Sequence, residues 1–173
     1  MTPTTTRLLG GEVEAALALS ALPPSVDPRG IGLGLAAAAG VTAARLALLQ
    51  VWTDFRVATD RSMRQALTNL TPADVALVAV LPAVAEEAMF RWGLIPATWP
   101  DARGALVAAA VFGILHRDSN RNWAFAAWSG GVGGVYGALF LATGSVVPCM
   151  VAHGVANLAS AAYWKAAMAD TSK

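Results

Sequence analysis

Three clusters of polar side chains stand inside otherwise apolar stretches of this sequence. Each cluster brings together groups that transfer protons or donate hydrogen bonds, namely carboxylates, imidazoles or a carboxamide. Because a charged residue at membrane depth costs about 2.5–3.5 kcal/mol on insertion scales, such residues indicate a functional site. The clusters are Glu86-Glu87 with Arg91, His116 with Phe112 one turn earlier, and His153 with Asn157.

The first cluster contains two adjacent carboxylates that a helix would separate. Glu87 and Arg91 are four residues apart, so they share one helix face and can form an ion pair. Glu86 then lies on a different face, without a partner in its own helix. An unpaired carboxylate in a dry site can act as a base near neutral pH, and we therefore predict this role for Glu86.

The two histidines of the chain both lie in, or at the end of, apolar segments. His153 and Asn157 are four residues apart, which places them on one stripe of a helix. Structural roles stay open, because a lone membrane histidine often bonds a backbone carbonyl and a His–Asn pair can link two helices. The joint occurrence of the clusters favours a site in the core of a helical bundle, built from Glu86, His116, His153 and Asn157.

The elements that must position these residues are long apolar segments. The 173 residues are 56% hydrophobic and 13% charged, whereas an average soluble domain is about a quarter charged. A membrane-spanning helix needs about 20 apolar residues, and no strand alternation competes with the helical pattern. The apolar segments are 31–51, 75–95, 104–116, 123–143 and 146–168. Arg45 interrupts the first segment near one end, where its side chain can extend to the membrane surface.

We therefore predict an all-α fold, a polytopic transmembrane helical bundle with about four or five membrane helices. Its domain covers residues 31–173 and follows a partly ordered N-terminal leader, residues 1–30. The polar stretch 53–71 is predicted to form an interfacial helix or a loop, and Thr71, Pro72 and Asp74 predict the start of the helix that follows. Gly130, Gly134 and their neighbours give small residues at a four-residue spacing, which lets helices approach closely in lipid.

The polar clusters resemble the CPBP family of intramembrane proteases, which contains the type II CAAX prenyl endopeptidases and bacteriocin-processing and self-immunity proteins. The family pattern is EExxxR, then FxxxH, then HxxxN. The resemblance covers roughly residues 45–165, and the stretch 121–128 is similar to plant and algal members, which implies a chloroplast membrane. The motifs stand here as EEAMFR at 86–91, FGILH at 112–116 and HGVAN at 153–157.

The resemblance implies an endopeptidase, which needs an activated water and donors that stabilise the oxyanion. It implies that Glu86 and His116 activate the water. His153 and Asn157 would then donate to the oxyanion. The substrates implied are membrane-associated peptides or prenylated, CAAX-type proteins.

Supporting positions follow from the same resemblance. Glu87 and Arg91 are expected to hold their helix in place, and Phe112 to support His116 from one turn away. These three residues complete the set of predicted site residues.

A metal site is the alternative reading of the same residues. Glu86, His116 and His153 form a three-ligand set suited to catalytic zinc, and Glu87 would then be a candidate base. However, asparagine at position 157 is a poor zinc ligand and a good oxyanion donor, and the chain has no HExxH motif. We expect no cofactor, with zinc as the alternative.

Charge limits the partners that the chain can have. The net charge is +1 and no run of basic residues occurs, so we predict no nucleic-acid partner. The predicted partners are the lipid bilayer and a peptide or prenylated protein substrate, in an integral multi-pass protein. Two other functions stay open: a catalytically inactive membrane scaffold or immunity-type relative, and a small transporter that uses intramembrane carboxylates.

Overall fold

The regular elements of the protein are helices. The computed structural model describes residue 14 and residues 26–171, and over this part of the chain the all-α prediction is confirmed. The predicted leader, residues 1–30, lies outside the described residues apart from residue 14 and residues 26–30. The elements are α1 Pro28–Val51, α2 Thr53–Leu67, α3 Pro72–Glu87, a π-helix Ala88–Leu94, α4 Ile95–Thr98, α5 Ala102–Leu115, α6 Trp123–Thr143 and α7 Val147–Thr171.

Two of the described helices, α1 and α6, are long and apolar enough to cross a membrane, and α5 is a shorter apolar helix. The other segments that the sequence assigns to the membrane are interrupted by the polar clusters. Helix α3 ends at Glu87 and passes into the π-helix, and His153 and Asn157 lower the apolar character of α7. By length and composition, the described part therefore has fewer candidate spans than the four or five predicted.

Helix α3 begins where the sequence predicts a helix start. The Thr71 hydroxyl accepts a hydrogen bond from the Asp74 amide, and the Asp74 carboxylate accepts one from the Thr71 amide, which forms a capping box. At its other end the backbone widens into the π-helix, where the Ile95 amide bonds the Phe90 carbonyl, five residues earlier. Such segments are rare and are frequent at functional sites.

Helices α5 and α6 pack closely through small residues. A Cβ added at Gly113 would lie 2.7 Å from the carbonyl oxygen of Ala126, and one added at Gly133 would lie 3.1 Å from a backbone atom of α5. Gly130 also faces α5, so the close approach predicted for this stripe of small residues involves Gly130 and Gly133, whereas no described atom lies within 4 Å of a Cβ at Gly134. The glycines that contact α5 are three and four residues apart, which is the spacing of residues on one face of an α-helix.

Helix α2 anchors the loop between α5 and α6. The polar stretch that was predicted as an interfacial helix or a loop is a helix, and it buries Phe55. The Arg121 Nε donates to the Ser62 hydroxyl at 3.0 Å, and the Asn122 side chain donates to the Asp54 carbonyl at 2.9 Å. These bonds fix the loop that follows His116.

Candidate active site

A buried ion pair lies where α3 passes into the π-helix. The Arg91 Nη1 is 3.1 Å from Oε1 of Glu87, and both side chains are fully buried. This is the pairing that the four-residue spacing predicts. Further hydrogen bonds offset the cost of burying such a pair, and each residue makes one to another helix, while Oε2 of Glu87 and Nε of Arg91 have no partner among the described residues.

Arg91 connects the π-helix to α5 and α6. Its Nη2 donates to the carbonyl of Gly133 at 2.9 Å. Its guanidinium carbon lies 5.0 Å from the ring centroid of Phe112 and 5.6 Å from that of Tyr136. These contacts fall within the range of cation–π interactions, so Arg91 holds three elements together around one charge.

Glu87 also binds His153 on α7. The Oε1 of Glu87 accepts a hydrogen bond from Nδ1 of His153 at 2.8 Å, across 66 residues of sequence. The opposite ring nitrogen, Nε2, lies 3.8 Å from Oε2 of Glu86. His153 is therefore held between the two adjacent carboxylates, and a carboxylate on Nδ1 fixes the orientation of the ring.

His116 lies at the C-terminal end of α5 and turns back onto its own helix. Its Nδ1 is 2.7 Å from the carbonyl oxygen of Phe112, so the hydrogen is on Nδ1 when this bond forms. Nε2 is then the acceptor of the neutral ring. The Phe112 ring packs against the imidazole with centroids 4.2 Å apart, which is the supporting position that the sequence predicts.

Asn157 binds the backbone of α3. Its Nδ2 donates to the Ala79 carbonyl at 3.1 Å, so one of its two amide hydrogens is engaged. The neighbouring carbonyl of Val78 has no helical donor, because Pro82 lacks an N–H. Asn157 therefore meets α3 at the turn that Pro82 disrupts.

All four predicted catalytic residues line one cavity of ≈ 200 Å³, which we call the main cavity. They come from three separate elements, since Glu86 lies on α3, His116 follows α5, and His153 and Asn157 lie on α7. Glu86 has a side chain that is 29% exposed, whereas Glu87 is fully buried. The two adjacent carboxylates therefore occupy different environments, as the helix geometry predicts.

The family model of the type II CAAX prenyl endopeptidase Rce1-like proteins matches residues 68–159, which is more than half of the chain. The chain belongs to this family. The match contains every predicted site residue, from Glu86 to Asn157. No curated protein and no solved structure matches the chain significantly.

Membership in the Rce1-like family supports several predictions at a coarse level. The family consists of membrane-integral CAAX-type proteases, and the two apolar helices α1 and α6 agree with this. The match does not extend to the catalytic type, the individual substrate or a chloroplast location. Those three stay predictions.

The described residues of this Rce1-like chain are not placed as a ligand set for a metal ion. In the described part of the chain, no three His, Cys, Asp or Glu side chains are grouped as metal ligands would be. Nδ1 of His153 is bound to Glu87, and Nδ1 of His116 is bound to a carbonyl. The zinc set of Glu86, His116 and His153 stays a prediction.

Two residues at the site of this Rce1-like chain were missed by sequence reasoning. Tyr136 on α6 is fully buried, with its ring 5.4 Å from that of His153, and its hydroxyl has no partner among the described residues. Arg45 on α1 was expected to reach the membrane surface, but it lines the main cavity. The signal available for Arg45 was its charge within a spanning helix, which by itself suggests function.

Proposed function

We propose that this chain is an intramembrane endopeptidase that hydrolyses peptide bonds of membrane-associated or prenylated, CAAX-type substrates. The observation that supports the proposal is the convergence of Glu86, His116, His153 and Asn157 on the main cavity. Proteolysis needs a base, a proton carrier and oxyanion donors within reach of one carbonyl, and these four side chains supply each kind of group.

Glu86 is proposed as the general base. Its carboxylate makes no hydrogen bond to any residue that the structure describes, whereas Glu87 is bound to Arg91 and His153. Glu86 is thus free to take a proton from a water that attacks the substrate carbonyl carbon. His116 would orient this water through Nε2, because its Nδ1 is occupied by the Phe112 carbonyl.

His153 and Asn157 are proposed as the oxyanion donors. Glu87 binds Nδ1 of His153, so a protonated ring would direct its Nε2 hydrogen toward the cavity, and Asn157 has a second amide hydrogen besides the one given to Ala79. The tetrahedral intermediate then collapses with cleavage of the C–N bond. The proton held by Glu86 passes to the leaving amine, which restores the carboxylate.

Replacement of the proposed base and of its partner tests this function. Purified protein in proteoliposomes is incubated with a farnesylated CAAX-type peptide, and products are identified by mass spectrometry. Glu86→Gln and His116→Ala should each lower the cleavage rate about 10²–10⁴-fold, the usual contribution of a positioned acid–base group. Asp54→Asn is the matched control, because Asp54 is exposed on α2 and lies outside the cavity.

Normal cleavage by both site variants would refute the assignment. Equal losses in the Asp54→Asn control would point to a general effect on the fold. A biological role retained by Glu86→Gln protein would instead favour the inactive scaffold or immunity-type alternative, which the family match does not favour.

The catalytic type is proposed to be glutamic and metal-free. The observations that support this are the absence, among the described residues, of three His, Cys, Asp or Glu side chains grouped as metal ligands, and the asparagine at position 157, which is a poor zinc ligand. Activity should persist after dialysis against a strong chelator, with less than one metal ion per active chain by elemental analysis. Loss of activity on chelation and its recovery with zinc would establish the zinc mechanism instead.

A chloroplast membrane is proposed as the location. The support is the similarity of the stretch 121–128 to plant and algal members of the family. Imaging of a fluorescent fusion in a plant or algal cell tests it, since signal confined to another membrane would contradict the proposal.

A further inference from the structure

Arg45 occupies an unusual position among the charged residues of the protein. It lies on α1, one of the two candidate membrane spans, and the main cavity is one of three cavities that it lines. An inner cavity of ≈ 80 Å³ lies beside Tyr136 and His153, and a side cavity of ≈ 210 Å³ lies between α1, α2 and α7. Of the residues described, Arg45 alone lines all three cavities.

No described residue accepts a hydrogen bond from the Arg45 guanidinium or forms an ion pair with it. Two of the charged groups that share its cavities, Asp60 and Arg121, are already engaged. Asp60 of the side cavity accepts hydrogen bonds from Arg64 at 2.8 Å and from Trp164 at 3.1 Å. Arg121 of the main cavity is bound to Ser62 at 3.0 Å.

Glu86 is the remaining charged group of the main cavity. Its carboxylate approaches Nε2 of His153 at 3.8 Å and forms no ion pair with Arg45. The buried hydroxyl of Thr59, which lines the side cavity with Arg45, likewise has no partner among the described residues. A partly buried cation without a counter-ion is costly, and a ligand that brings a negative charge would offset this cost.

We propose that Arg45 binds the terminal α-carboxylate of the peptide substrate, an inference that rests on the proposed protease function. A guanidinium matches the planar, two-oxygen geometry of a carboxylate. The inner and main cavities share His116, His153 and Asn157, so a ligand held at Arg45 extends directly to the reacting groups. Arg45 thereby selects substrates whose cleaved bond lies close to a free carboxyl terminus.

The Rce1-like match begins at residue 68, so it does not include Arg45. The site combines an element outside the matched region with the motifs inside it. A peptide carboxylate fits better than a lipid phosphate, because the guanidinium lines the cavity that holds Glu86 and the histidines.

The test compares two farnesylated CAAX-type peptides that differ only in ending as a carboxylate or as a carboxamide. Binding is measured by fluorescence anisotropy in detergent micelles, on the full chain carrying Glu86→Gln so that no cleavage occurs. This protein should bind the carboxylate peptide about 10- to 100-fold more tightly than the carboxamide, the range for a charge-assisted pair. Adding Arg45→Gln should reduce the ratio to near one, and Arg45→Lys should restore part of it.

Arg61→Gln is the matched control, because Arg61 is an exposed arginine of α2 that lines none of the three cavities. It should leave the ratio unchanged. The proposal is overturned by a ratio near one before Arg45 is changed, by an unchanged ratio in Arg45→Gln, or by an equal loss in Arg61→Gln. The carboxylate-to-carboxamide comparison requires no variant of Arg45, so it decides even where Arg45→Gln does not fold.

Two further measurements separate the possible failures. If protein with Glu86 intact cleaves neither peptide but binds the carboxylate form selectively through Arg45, the protease function fails and the carboxylate site stands. Anionic phosphatidylglycerol and phosphatidylcholine are also added to the micelles in turn. If only phosphatidylglycerol abolishes the preference for the carboxylate peptide, and Arg45→Gln removes this lipid effect, the site binds a lipid phosphate. That result overturns the proposal.

Discussion

Replacement of Arg91 by methionine should destabilise the protein strongly, because it leaves the Glu87 carboxylate as a buried charge without its cation. Methionine keeps much of the apolar stem of arginine, so the change removes mainly the charge and its hydrogen bonds. The ion pair to Glu87 at 3.1 Å is lost, together with the bond to the Gly133 carbonyl at 2.9 Å. Both partners stay in the core, away from solvent.

The size of the effect follows from the burial of the pair. Removing one partner of a buried ion pair costs about 3–5 kcal/mol, and about 1 kcal/mol shifts Tm by 2–4 °C in a domain of this size. We therefore expect Tm to fall by about 6–20 °C. A Glu87→Gln/Arg91→Met double variant should melt above the Arg91→Met single variant, since it no longer buries an unpaired charge.

Fluorescence of the six tryptophans during heating in detergent measures these transitions. The exposed residue Arg61 supplies the control, because Arg61→Met should change the stability by no more than about 0.5 kcal/mol. The reasoning is refuted if Arg91→Met lowers Tm by less than about 2 °C. It is also refuted if the loss of Tm in the double variant equals the sum of the losses in Arg91→Met and Glu87→Gln.

Two other perturbations test the packing and the loop. Gly113→Ala should lower Tm, because its Cβ would lie 2.7 Å from a carbonyl oxygen of α6. Gly134→Ala should leave Tm unchanged or raise it slightly, because that position is open and alanine favours a helix. Similar losses of Tm in both variants would contradict the packing argument. Hydrogen bonds from the amides of Asn120 and then Arg121 lower the pKa of Asp118, so its contribution to stability is present above the unfolded pKa and is lost as the pH falls through the lower, folded value. Asp118→Asn should therefore melt below the wild-type protein at pH 7, the gap in Tm should close as the pH falls through the folded pKa of Asp118, and a gap that widens in acid would contradict this.

The local part of the site could be predicted from sequence because helical periodicity determines it. Glu87 and Arg91 pair, and His153 and Asn157 share a stripe, since residues four apart on a helix are neighbours. The capping box at Thr71 is equally local. None of these predictions required knowledge of which helices pack together.

The long-range part could not be obtained in the same way. The bond between Glu87 and His153 joins residues 66 apart, and one-dimensional spacing contains no information about such a contact. Arg45 was expected to reach the membrane surface, because an arginine near a helix end can extend along the lipid, and only the packing of α1 against α7 turns it inward. The spacing likewise does not tell which of Gly134 and its neighbours faces α5, and in the structure it is Gly133 that does so.

The π-helix Ala88–Leu94 sets the rotation about the helix axis between the glutamates that precede it and the buried residues Ile95 and Pro96 that follow it. One residue advances an α-helix by about 100°, so deletion of a single residue here would rotate everything downstream by that angle. Arg91 would then be carried away from Gly133, while Glu86 and Glu87 kept their positions. The segment therefore acts as a spacer of fixed length, and natural variation in this chain should alter its residue types more readily than their number.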